Sequence, residues 1–182
     1  MLEVATITKE IKTKQGVPKL EIHIDTISGY LDRIDMMQTE FGKTWNITFV
    51  DDFKLYVWST YFDASLFQGF VNCIAGLKGK YGKITLEPKW DAKNKTTKMN
   101  TFNDGQYLNW HFSVEELPKV TKLLDENGEE VTDSKGNPVY NTKKRMQWLQ
   151  EEVDKIQQHL KQEFKQETDA DTEVDYVDEE AF

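Results

Sequence analysis

The chain has 182 residues, 38% of them hydrophobic and 30% charged, with a net charge of −9 and a single cysteine. That length suits one domain with appendages. One thiol excludes an internal disulfide and, alone, a cysteine-rich zinc site, so Cys73 reads as a small buried hydrophobe. No apolar run approaches the roughly 18 residues of a transmembrane helix. The opening MLEVATITKEIKTKQG lacks the apolar core and cleavage site of an export signal. A reducing cytoplasm is therefore the expected compartment, with no membrane partner.

Taken in chain order, residues 1–18 read as a short edge strand or arm ending at Gly16-Val17-Pro18. From Lys19 to Asp25, Leu20, Ile22 and Ile24 alternate with Glu21, His23 and Asp25, the period of a half-buried strand. It is expected to continue past Gly29 to Ile34, with Gly29 marking a bulge or sharp bend. A second strand carries Trp45, Ile47 and Phe49. A third spans Phe53–Thr60, with Phe53, Leu55 and Val57 assigned to the core and Lys54, Tyr56 and Trp58 to the outer face. The period then changes, and Leu66, Phe67, Phe70, Ile74 and Leu77 fall at helical spacing, with Asp63 as N-cap and Gly76 or Gly79 as the stop. Two more strands are expected at Gly82–Glu87 and Tyr107–Phe112, joined by a lysine-rich loop, Lys89–Gly105.

Three strands, a helix and two strands match a mainly β fold, the five-stranded OB-like barrel, here occupying residues 1–118 with its N-terminal arm. Residues 119–141 read as a polar ribbon with turns at Glu126-Asn127-Gly128 and Lys135-Gly136-Asn137-Pro138. Residues 142–166 read as a C-terminal helix. Met146, Leu149, Val153, Ile156, Leu160 and Phe164 form its one apolar stripe, fit to pack on the barrel or to pair with a twin in a homodimer. Residues 167–182 hold eight acids and no Lys or Arg, leaving −1 for the rest of the chain. Such a segment is too acidic to fold alone.

No GxSxG, GxxxxGK[ST], GxGxxG or HExxH occurs, so no enzyme is expected, and no cofactor or metal. Asp51-Asp52 and Asp32…Asp35 read as turn and surface acids. The stronger signal is charge asymmetry. Lys78–Lys98 holds seven lysines against Glu87 and Asp91, while the acids gather at the end. On the outer face of the third strand Lys54, Tyr56 and Trp58 suit a platform on which bases stack without sequence preference. Lys89, Trp90, Lys93, Lys95 and Lys98 would flank it from the loop, and Arg33, Lys43, Tyr107 and His111 would extend it. Lysines there would contact phosphates and make binding salt-dependent. The competing reading packs Tyr56 and Trp58 under the C-terminal helix or the arm and leaves the lysines as a solubilising loop. At the acidic end, Asp175, Tyr176, Asp178, Glu179, Glu180 and Phe182 would engage a partner, the Phe182 ring entering an apolar pocket with a basic rim.

A barrel followed by an acidic segment ending in Phe182 resembles the prokaryotic and bacteriophage single-stranded-DNA-binding proteins of the T7 replication type. The resemblance implies a protein that coats single-stranded DNA during replication, recombination and repair. It also implies recruitment of polymerase or helicase-primase through the tail, and dimerisation. It places the chain in a bacterial cell, or in the host cytoplasm if phage-encoded. Bacterial members end in Pro-Phe; the step here is Ala181-Phe182, which favours a phage or mobile-element variant. RNA in place of DNA stays open, because stacking discriminates poorly unless the 2′-OH is read. So does a non-catalytic phage structural or adaptor protein built on a small barrel.

Overall fold

The computed structural model describes residues 6–12, 18–24, 26–40, 42–51 and 54–170. Strands β1 (Thr6–Lys12) and β2 (Pro18–Ile24) form an antiparallel pair of their own. The main sheet is antiparallel and six-stranded. It comprises β3 (Ile27–Thr39), β4 (Gly42–Asp51), β5 (Lys54–Tyr61), β6 (Lys83–Asp91), β7 (Thr96–Asn103) and β8 (Gln106–Tyr107), in the order β5-β4-β3-β6-β7-β8. Helix α1 (Ser65–Ala75) follows β5, and helix α2 (Lys143–Ala170) follows the short pair β9 (Thr121–Lys122) and β10 (Tyr140–Asn141).

Alternation in β4 works as the sequence suggests: Trp45, Ile47 and Phe49 are fully buried. In β3 the phase slips. The register against β4 jumps between Leu31 and Arg33, so Asp32 is the extra residue of a bulge. Without it Leu31 and Ile34 would face opposite sides; with it both are buried. The bulge thus lies three residues beyond Gly29. Gly29 has another task, since a Cβ there would stand 3.0 Å from the Val50 carbonyl oxygen and 3.1 Å from Phe49 Cβ.

The third strand departs from expectation. Leu55 and Val57 are 65% and 55% exposed, while Tyr56 and Trp58 turn inward onto the core. Trp58 meets Phe67 and Phe70 edge-on, with centroids 6.3 and 5.8 Å apart. Alternation alone cannot say which face of an edge strand meets the core; here the α1 aromatics decide it. Phe53 lies outside the described residues.

Helix α1 lays Phe67, Phe70, Val71 and Ile74 on the sheet. Its N-cap is Ala64 with no side-chain cap, not Asp63, and Gly76 is its C-cap. Cys73 is buried, which pushes its thiol up to about 11, and its Sγ donates to the Leu108 carbonyl at 3.7 Å. The α2 stripe is covered by this chain's own core: Leu149, Val153, Ile156 and Leu160 are buried there and Met146 packs beside them. The stripe is therefore not free to pair with a twin. Phe164 lies in a part of α2 whose side chains are outside the described residues. The helix starts within one residue of its expected start and ends at Ala170, so residues 167–170 of the acidic segment belong to it.

Strand five is displaced. Residues 96–103, expected in a lysine-rich loop, form β7 paired along β6. Of Tyr107–Phe112 only Tyr107 is in a strand. Pro88 fits inside β6 because it lies past the last β3–β6 pair, Ile27–Leu86. Its missing N–H faces the β3 edge of β6 at a position that β3 no longer runs beside.

The ribbon contains a repeat that the turn signals hid. Leu123, Val131 and Val139 recur every eight residues, followed two positions on by Asp125, Asp133 and Asn141. Leu123 N–H donates to the Val139 carbonyl, Val139 N–H to Val131, and Val131 N–H to Leu123, at 2.8–2.9 Å. Asp125 Oδ1 accepts from the N–H groups of Asn127 and Glu129, and Asp133 Oδ1 from those of Lys135 and Asn137. Gly128 and Gly136 both sit at φ +82°, where a side chain would be strained. In the third unit Asn141 Oδ1 accepts from Lys143 N–H, and the chain enters α2. The Glu129 backbone N–H leads in holding the Asp125 carboxyl below the usual carboxylate range, and at Asp133 the Asn137 side-chain amide leads, followed by the backbone N–H groups of Asn137 and Lys135.

Gly29→Ala is expected to lower stability by about 1–3 kcal/mol, because the new methyl presses on rigid backbone. The urea midpoint should fall at constant slope. An unchanged midpoint would show that β3 and β4 can separate locally.

Candidate nucleic-acid interface

Hairpin β6–β7 carries most of the basic segment and holds it in one shape. Asp91 Oδ1 accepts from the N–H groups of Lys93 and Asn94 at 3.0 and 3.2 Å. Its Oδ2 accepts from Asn94 Nδ2 at 2.8 Å and pairs with Lys98 Nζ at 2.6 Å. The Lys98 ammonium, then the Asn94 donors, hold the Asp91 carboxyl far below the usual carboxylate range. Lys95 closes the turn at φ 49°. The lysines thus divide into two kinds. Lys98 is neutralised by Asp91, whereas among the described residues no acid pairs with Lys89, Lys93 or Lys95.

Three large aromatics stand out from the same region: Trp90, Tyr107 and Trp110 are 61%, 56% and 54% exposed. Phe102 steadies the Tyr107 ring edge-on at 5.5 Å. Trp110 is placed by a buried polar residue of α1. Asn72 Nδ2 donates to the Phe112 carbonyl at 3.0 Å, and Asn72 Oδ1 accepts from Phe112 N–H at 2.8 Å. The Asn72 carbonyl accepts from His111 N–H at 3.2 Å. This fixes the irregular segment 109–112 against α1.

Three neighbouring concavities share lining residues around the hairpin. One of about 300 Å³ lies against Lys89, Trp90, Asp91, Ala92, Lys98 and Asn100. The next, about 490 Å³, shares Lys98 and Asn100 with it and adds Met99, Tyr107, Trp110 and the start of α1 at Ser65, Leu66 and Gly69. A third, about 330 Å³, shares Leu66 and Met99 and reaches Val57, Trp58 and Ser59 of β5.

The fold therefore places Lys89, Trp90, Lys93, Lys95 and Lys98 on one hairpin with Tyr107 on the strand beside it; by register Lys89, Lys98 and Tyr107 share one face and Trp90 takes the other. Trp58 reaches it only by the edge it shows to the third cavity, and Tyr56 packs into the core instead of joining a platform. Lys54 is exposed on β5. Arg33 is bound up with Asp32 at 3.4 Å and Asp35 at 3.0 Å. Lys43 caps the Phe62 ring at 5.5 Å. His111 packs on Phe112 and over Gly76, at the far end of α1 from the cavity. Asp175, Tyr176, Asp178, Glu179, Glu180 and Phe182 lie outside the described residues. Trp110 and Met99 were not legible as site residues. The only signal was that Trp110 shares a short aromatic run with Tyr107 and Phe112.

Among the described residues no group of three or more His, Cys, Asp and Glu could hold a metal, and no helix is long and apolar enough to cross a membrane. Compared with known protein families, curated proteins and solved structures, the chain shows no match.

Asp91 has a depressed pKa, so its turn-holding bonds are complete above the ordinary carboxylate value of about 3.9. They are lost only as pH falls through the lower folded value. The amide resonances of Lys93 and Asn94 should stay fixed from pH 7 to about 4. A midpoint near 4 would mean that Asp91 does not hold the turn.

Proposed function

We propose that this chain is a non-catalytic single-stranded-nucleic-acid-binding protein of the OB type, with DNA as the expected ligand. The observation that carries the reading is that exposed Trp90, Tyr107 and Trp110 lie around hairpin β6–β7, whose Lys89, Lys93 and Lys95 pair with no acid among the described residues. Exposed indoles and phenols stack on bases, and unpaired ammonium groups attract the phosphates between them. The strand order gives further support. β5-β4-β3-β6-β7 is the order of a five-stranded Greek-key barrel opened along one seam, between β5 and β7. On this reading the acidic segment 167–182, with Tyr176 and Phe182, recruits replication proteins, and the chain acts in replication, recombination and repair as the T7-like proteins do.

A second reading, a non-catalytic adaptor, is favoured by one observation: Tyr56 and Trp58 pack on the core, as that reading requires. It also gives the exposed Leu55 and Val57 of β5 a use, as a protein-binding face.

Fluorescence anisotropy of labelled oligo-dT and of matching duplex, across a salt series, separates the two. Salt-sensitive binding that prefers the single strand supports the first reading; none at low salt leaves the adaptor. Trp90→Ala should weaken binding by about 1–3 kcal/mol with the fold intact. Trp58→Ala should instead lower the melting temperature, because Trp58 closes the core over Phe67 and Phe70. Equal affinity in Trp90→Ala would remove that indole from the interface.

A further inference from the structure

The cavity of about 490 Å³ beneath Trp110 has a polar wall made by the backbone. Thr101 carbonyl accepts from Leu108 N–H at 2.8 Å, so Thr101 turns its backbone groups away from β6. In an antiparallel strand the N–H and C=O of one residue share an edge, and alternate residues share the same one. Met99 and Thr97 therefore also direct their N–H and C=O away from β6, toward the cavity side. This agrees with Met99 standing opposite Pro88, which has no N–H to offer. β8 pairs only with Phe102 and Asn103, so no strand takes these groups.

We infer that this cavity is a base-reading pocket that admits one unpaired nucleobase, stacked on Trp110 and hydrogen-bonded to the backbone of Thr97 and Met99. The inference rests on the single-strand reading above and adds selectivity to it. The occupant follows from the walls. The faces of Trp110 and Tyr107 suit a flat ring. The strand edge supplies donors and acceptors together, which an aliphatic or purely anionic guest would leave unmatched. The unpaired lysines of the adjoining hairpin suit the phosphates on either side of a flipped base. The volume lies within the roughly 300–1,000 Å³ of small-ligand sites. Leu66 and Met99 add apolar lining for the ring, and duplex DNA is disfavoured because its bases are already stacked and paired.

Two substitutions address the pocket without touching the lysines. A Cβ on Gly69 would lie 3.9 Å from Trp110 Nε1, so alanine fits there and leucine fills the space below the indole. Thr97→Pro deletes an outward N–H and breaks no bond of the β6–β7 ladder. The test compares oligo-dT with an abasic strand of equal length and charge, and with oligo-dC and oligo-dA, by anisotropy. The wild-type chain should prefer oligo-dT over the abasic strand. Gly69→Leu should shrink that preference by about 5- to 150-fold, the loss of one stacked base, with an unchanged salt slope. Gly69→Ala should keep it. Thr97→Pro, with wild-type circular dichroism, should alter the ranking of dT, dC and dA. Preference and ranking retained in both Gly69→Leu and Thr97→Pro would overturn the pocket, as would a wild-type chain that binds the abasic strand equally. A wild-type chain that binds no single strand at low salt would instead overturn the function proposed above.

Discussion

Everything else in this fold hangs on the contact between α1 and the inner face of β4. Trp45 is sandwiched between Phe62 and Phe67, centroids 5.5 and 5.0 Å away, with its Nε1 donating to the Phe62 carbonyl at 3.1 Å. Phe70 meets Phe49 edge-on at 6.3 Å. Four aromatics from one strand and one helix thus fill the middle of the core, and large aromatic side chains dominate core energetics. Once α1 is seated there, Trp58 is drawn inward, Asn72 comes to face segment 109–112, and Gly69 comes to lie under Trp110. The inner aromatics set the fold, and in doing so they fix which aromatics are left outside.

That division explains what the sequence could and could not disclose. β4, α1 and α2 were legible because their apolar residues repeat with one period and meet one core. β5 misled because it is an edge strand with large apolar residues on both faces: Leu55 and Val57 look as fit for burial as Tyr56 and Trp58. Only the helix that follows breaks the tie. β7 was illegible for a different reason. Its run Thr96-Thr97-Lys98-Met99-Asn100 has little apolar alternation, since one face meets α1 through Met99 and Thr101 and the other is wet. It is a strand because β6 offers it a ladder, not because its own residues demand one. At the candidate interface, Trp90 and its lysines were legible from charge and aromatic content. Trp110 was not, because its place depends on an asparagine 38 positions earlier.

Charge is organised by the same economy of positions. The net charge of −9 says little about the hairpin, where Glu87 and Asp91 stand against Lys83, Lys89, Lys93, Lys95 and Lys98, and Asp91 is the acid at the turn. That acid is employed in shaping the turn, so the hairpin keeps a local positive excess while its backbone is held still. A rigid cationic turn loses less entropy on meeting a polyanion than a mobile one would.

The eight-residue repeat at 123–141 has a consequence for self-association. Its three units close on one another in a ring, each donating to the next, so Leu123, Val131 and Val139 have no backbone group left to offer a neighbouring molecule. Exposed β structure usually carries a risk of templating fibrils along an open edge. This ring is closed, and a fourth unit would find no free backbone group among those three residues to join. The chain can therefore display a polar, turn-rich projection on its surface whose centre offers no backbone edge to a neighbouring molecule.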